Sequence, residues 1–183
     1  MDDKLLTLYR SRLADAGGWC EVTDSAVTVL SILEEKYRFE KNKIIFSGKA
    51  AALFHDTELP GIDIGTVHPN DRRDVLADAR LGVTACDGLV AETGTAVFVN
   101  HIQEPRELSL LPERHVVVAK NNQLFESLDE CLAHIKNIYP AGTMPSITLI
   151  SGPSRTSDIE KTLVVGVHGP KEFGVVVLAG DYR

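Results

Sequence analysis

The sequence predicts an α/β domain built on a mostly parallel, twisted sheet, with helices on both faces and an antiparallel portion contributed by hairpins. Three observations carry this. From about residue 43 onward, apolar runs of strand length alternate with segments of helical period. His115-Val-Val-Val-Ala119 is a continuous apolar run bounded by charge, the pattern of a central strand covered on both faces. Finally, 183 residues with 44% hydrophobic and 25% charged side chains are enough to bury a core without covalent staples. The chain reads as one domain over 1–183, with an N-terminal helical part over 1–40 and an α/β core over 43–183.

The elements follow in order. Leu5, Leu8 or Tyr9, Leu13 and Ala16 share one helical face, and Gly17-Gly18 stops that helix. Asp24 can cap a second helix with the stripe Val27, Leu30, Leu33 and Tyr37. Lys43 to Ser47 reads as a strand, Gly48 breaks it, and Lys49 to Phe54 as a short helix. Pro60-Gly61 signals a turn before a short edge strand within Ile62 to Val67. Asn70 or Asp71 can cap a helix through Val75, Leu76 and Ala79. Leu81 to Val90 and Thr95 to Val99 are then two adjacent strands around Ala91-Glu-Thr-Gly94.

After the central run, the stripe Leu124, Leu128, Leu132, Ile135 and Ile138 predicts a helix stopped by Pro140 and Gly142, and Ile147 to Ile150 the next strand. Together these read as a βαβ crossover. Leu163 to Val167 and Gly174 to Leu178 suit a terminal hairpin. Ligands in such sheets usually sit beyond the carboxyl ends of the strands.

Charge and motif content exclude several function classes. A net charge of -7 without any basic run argues against a nucleic-acid partner, which needs clustered Lys and Arg. No apolar stretch reaches the roughly 20 residues of a membrane span, and Met1-Asp-Asp-Lys4 is no secretory start, so a cytoplasmic protein is expected. Cys20, Cys86 and Cys131 are too far apart to form a CxxC pair, so no metal or iron–sulfur site is assigned to this chain. Cys86 reads as a small buried hydrophobe and takes no role. The histidines show no i, i+4 pair beside an acid.

Three segments have the residue types that carry chemistry. In Ala91-Glu-Thr-Gly-Thr95, Glu92 suits general-base or nucleophile work, Gly94 allows close backbone approach, and the Thr93 and Thr95 hydroxyls can orient an oxyanion. The plainer reading is a polar turn. Ser151-Gly-Pro-Ser-Arg-Thr-Ser-Asp-Ile-Glu160 follows a strand and is expected to enter a short helix. There Gly152, Ser154, Arg155 and Thr156, with Ser157, Asp158 and Glu160, would make an anion cradle, Ser157 and Glu160 having capping-box spacing. The alternative is a capped turn in which Arg155 pairs with Asp158 or Glu160. In Gly166-Val-His-Gly-Pro170, His168 beside Gly169 can move protons near neutral pH, or simply be a turn histidine.

Taken together and in this order, the three segments resemble the signature of the LUD-domain family called lactate utilization protein C or YkgG-like, from about Lys43 to the C-terminus. The resemblance implies a fold of the NagB/RpiA/CoA transferase-like group. It also implies a function: the non-redox component of bacterial L-lactate oxidation to pyruvate, with partner subunits carrying the iron–sulfur clusters. The motif chemistry adds a small carboxylate or phosphate ligand, held by Arg155 and the surrounding hydroxyls and amides with Glu92 and His168 completing the pocket. The rival from the same fold group is a stand-alone transferase or isomerase acting on an acyl-CoA or sugar phosphate, with Glu92 as nucleophile or base. A pure scaffold is the third reading, and a homodimer accords with the base rate for small domains.

Overall fold

The computed structural model describes residues 2–37, 44–54, 65–66, 76, 78–99, 106–139, 146–157, 163–165 and 169–180. Helix α1 (Asp3–Asp15) is capped by Asp2, whose carboxylate accepts from the Lys4 and Leu5 amides, and it buries Leu6, Tyr9 and Leu13. Strand β1 (Trp19–Thr23) follows, an element the periodicity does not announce because its burial does not alternate. Next come α2 (Ala26–Tyr37), β2 (Ile44–Phe46), α3 (Gly48–Ala52, capped by Ser47) and β3 (Gly65–Thr66). Of the expected helix after Asn70, the described Leu76 and Asp78 are helical, and the rest lies outside the described residues.

Six strands form one all-parallel sheet in the order β1-β12-β7-β4-β2-β3, where β4 is Leu81–Ala85, β7 Arg114–Lys120 and β12 Glu172–Leu178. The α/β class is as expected, β7 is central, and the short strand at 65–66 is an edge. A second sheet, β8-β5-β6-β9, contains β5 (Gly88–Val90), β6 (Thr95–Val99), β8 (Leu124–Phe125) and β9 (Ile147–Ile150). A separate antiparallel pair joins β10 (Arg155–Ser157) to β11 (Leu163–Val165).

Several connections differ from the expected ones. The run Leu81 to Val90 is two strands in two sheets, because the chain turns at Cys86-Asp87 and Asp87 accepts the Val99 amide at 2.8 Å. The βαβ unit is not formed: β9 pairs antiparallel with β6 in the small sheet, and β7 is flanked by β12 and β4. The terminal hairpin is not formed either, since β12 inserts between β1 and β7 while β11 pairs with β10. Arg155 to Ser157 is strand, and residues 158–162, where a helix capped by Ser157 would begin, lie outside the described residues. Helix α4 (Leu128–Ile138) buries Cys131 and Ile135, with Leu124 in β8 and Ile138 exposed; on α2, Val27 is exposed and Val29 takes its place in the core.

Side-chain alternation builds the layers. Val116, Val118, Val176 and Leu178 face α2 and α3 in one core, while Val117, Ala119, Val175 and Val177 face α1 and the small sheet in another. Leu89 and Ala96 of the small sheet join that second core, and their neighbours Val90 and Val97 face α4 in a third. The small mixed sheet thus forms an extra layer between the large sheet and α4. Each valine fully removed from water contributes roughly 1.5–3 kcal/mol, so Val117→Asp should break the middle core.

Candidate functional site

Helix α1 ends in a glycine cap. Gly17 has φ 86°, and the Gly17 and Gly18 amides donate back to the Ala14 and Leu13 carbonyls. The loop after β9 sits on this end. Arg155 donates from Nη2 to the Ala16 carbonyl at 2.7 Å, and a Cβ on Gly17 would lie 2.3 Å from that nitrogen. Gly152, at φ 150°, passes so close that a Cβ would lie 2.8 Å from the same carbonyl. A cation at a helix C-terminus complements the negative end of the macrodipole.

The first segment meets the second through hydroxyls. Thr93 Oγ1 lies 2.7 Å from Thr95 Oγ1, which lies 2.7 Å from Ser151 Oγ. Gly94, at φ 64°, packs on α1 where a Cβ would lie 2.4 Å from the Leu13 amide nitrogen. Glu92 faces elsewhere: its exposed carboxylate accepts the Leu128 amide at 2.9 Å, at the start of α4. The third segment joins the second through backbone, the Ser154 amide donating to the Pro170 carbonyl at 2.8 Å with Gly169 beside the Ser154 side chain. Side chains of Thr156 and Ser157, and all of Asp158, Glu160 and His168, lie outside the described residues.

A cavity of about 200 Å³ opens where the second and third segments meet, bounded by Gly152 and Ser154, by Gly169 and Pro170, and by His115 and Phe173, with no residue of the first segment lining it. It lies at the amino ends of β7 and β12, each contributing its second residue, rather than beyond the carboxyl ends. The reason is the placement of β9 in the small sheet, which delivers the following loop to that end.

His115 is the residue that sequence reasoning passed over. It is fully buried, its Nε2 lies 2.7 Å from Thr84 Oγ1, and its Nδ1 has no partner among the described residues. The Phe98 and Phe173 rings stand 5.9 and 5.3 Å away, centroid to centroid. Burial pushes the imidazole down to about 3, so it is neutral near pH 7. The only signal in the sequence is a histidine opening an otherwise apolar strand.

At the other end of the large sheet, Lys49 after β2 meets Asp87 after β4 at 3.1 Å, and Tyr139 donates to Asp87 at 3.2 Å. The three cysteines sit buried and unbridged, and burial pushes the Cys20 thiol up to about 12, Cys131 to about 11, and Cys86 upward as well. Among the described residues no group of three His, Cys, Asp or Glu is placed to hold a metal ion, and no helix is long and apolar enough to cross a membrane.

Residues 33–178, which include β2 to β12 and all three segments, match the LUD domain. The chain belongs to the LUD domain family. This LUD domain is 37% identical to lactate utilization protein C of Shouchella clausii over 101 residues, 55% of this chain and 44% of that protein. It is 37% identical to lactate utilization protein C 1 of Bacillus mycoides over 102 residues, again 55% and 44%. The match thus spans less than half the length of these relatives. A crystal structure of a DUF162 family protein from Deinococcus radiodurans superposes with a TM-score of 0.61 at 20% identity, covering 95% of this chain and 96% of that one, and shows the same fold. The LUD match begins within α2, so α1, which receives Arg155 and Gly152, precedes it.

Proposed function

We propose that this LUD-domain chain serves lactate utilization as a component without a redox centre of its own, acting with iron–sulfur subunits. The observation that carries the process is the kinship with curated relatives named for lactate utilization. The cysteines support the non-redox part: Cys20, Cys86 and Cys131 are each packed into the core, and among the described residues none belongs to a group of three potential metal ligands. On the outer side of the loop after β9, the exposed Ser151 and Arg155 offer donors to a small carboxylate or phosphate.

The test is a pull-down of tagged chain from lactate-grown cells, followed by lactate-dependent dye reduction with and without the chain. Recovery of iron–sulfur proteins, with activity that requires this chain, is the expected result. Recovery of the chain alone, with dye reduction indifferent to it, overturns the reading.

A further inference from the structure

An open sheet ends in two edges, and each presents a row of N–H and C=O groups to any strand that comes near. The large sheet ends on one side at β3, which at two residues is too short to template a partner. Its other edge is β1, five residues long and paired on one side with β12. The Thr23 carbonyl accepts the Ala179 amide just beyond β12, so the backbone groups of Thr23 point toward that strand. Alternation turns those of Glu21 and Trp19 the same way and leaves the N–H and C=O of Cys20 and Val22 pointing out of the sheet.

One side chain lies across this edge. Arg10, on α1, donates from Nε at 3.2 Å and from Nη2 at 3.0 Å to the outward Cys20 carbonyl, and its Nη2 stands 3.7 Å from Glu21 Oε2. Cys20 and Val22 pack into the core shared with α1, so the Glu21 side chain emerges on the opposite face of the sheet. Arg10 therefore starts on one face, closes on the edge carbonyl and ends at a carboxylate from the other face. The Arg10 and Glu21 side chains are 48% and 44% exposed, and a surface pair of this kind adds little to stability. Its place on the edge is what sets it apart.

Symmetry decides what this arrangement keeps away. An edge strand is complementary to itself when two copies meet antiparallel about a twofold axis. Centred on Glu21, that pairing sets Cys20 of one copy opposite Val22 of the other, with hydrogen bonds exchanged both ways, and fuses two six-stranded sheets into one. Arg10 already holds an acceptor this pairing needs, the Cys20 carbonyl, in each copy. Glu21 would stand directly across from Glu21 of the second copy, where like charges repel. No described residue takes the Val22 amide or carbonyl, so without Arg10 and Glu21 the edge would lie open.

We propose that Arg10 is a strap that closes the β1 edge, and that with Glu21 it keeps a second copy of this chain from adding its own β1 to the large sheet. The lactate reading does not enter, since α1 and β1 both precede the LUD match.

The experiment compares the full chain with its Arg10→Met, Glu21→Thr variant, in which methionine keeps an unbranched stem at the surface and threonine suits a strand. In sedimentation over a concentration series the variant should self-associate at least about tenfold more tightly than the unsubstituted chain, because hydrogen bonds are regained on both sides of the twofold. Hydrogen exchange of the Cys20 and Val22 amides, followed by NMR, should slow with concentration in the variant and stay constant in the unsubstituted chain. Adding Val22→Pro, which removes an outward N–H and is tolerated on an edge strand, should reverse both effects. If the double variant does not fold, Arg10→Met alone serves, with a gain of at least about threefold from the freed carbonyls. The proposal is overturned if the folded variant associates no more tightly than the unsubstituted chain, if its gain survives Val22→Pro, or if the Val22 amide of the unsubstituted chain already slows as concentration rises.

Discussion

His115 and Arg155 are two polar residues whose environments predict opposite kinds of behaviour. His115 is neutral when folded, with a value near 3 against 6.5 in the unfolded chain, so acid protonates the unfolded state first. Its titration takes nothing from stability above pH 6.5 and erodes it progressively as the pH falls toward 3, at up to about 1.4 kcal/mol per pH unit. Urea unfolding of the native chain and of His115→Phe between pH 7 and 4 should show this slope in the first and its reduction in the second. Arg155 is exposed and donates to the end of α1. Arg155→Ala should lower Tm by about 2–4 °C through the lost helix-end contact of about 1 kcal/mol, as calorimetry would register. Gly152 and Ser154, which line the cavity, were legible as candidates because a glycine beside hydroxyls at a strand end is a local pattern. His115 was not legible, since its significance lies in Thr84, Phe98 and Phe173, which are remote in sequence from it or from one another.

Among the elements, α4 shows how a motif read for chemistry can serve structure. Ser127 caps the helix, accepting from the Glu130 amide, and Glu92 reaches across from the β5–β6 turn to the Leu128 amide. A carboxylate at a helix N-terminus is favoured by the macrodipole, so Glu92→Gln should lower Tm by about 1–3 °C while leaving the fold intact. Loss of dye-reduction activity out of proportion to that shift would give Glu92 a chemical role as well. Helix periods and apolar runs announced α1, β2, β7 and α4, because each is long enough or uniform enough to show its period. The break at Cys86-Asp87 was invisible: the pattern of Leu81 to Val90 is that of one buried strand. Only the tertiary pull of Asp87 on Val99, Lys49 and Tyr139 divides it.

At the scale of the molecule, the middle core joins α1, the large sheet and the small sheet through shared side chains such as Tyr9, Leu89 and Val177. No layer keeps its apolar face covered without the next. Guanidinium unfolding followed by the fluorescence of Trp19, the single tryptophan, should therefore coincide with the loss of far-UV dichroism. Separated transitions would mean that the small sheet and α4 melt apart from the large one. Composition and alternation were enough to predict a mostly parallel sheet. The strand order was not, because pairing partners far apart in sequence leave no periodic trace.

The position of β12 has a consequence for how the protein is made. It is the last described strand in the chain, yet it lies between β1 and β7, paired along its whole length with Arg114 to Lys120. During translation β1 emerges before β2, β4 and β7, and then waits for its described sheet neighbour, β12, which follows all of them in the chain. Throughout that interval β7 presents an open edge to whatever is nearby. The large sheet closes only when its late strand is threaded between two that came before, so nascent chains stalled short of Glu172 should be the ones that chaperones hold.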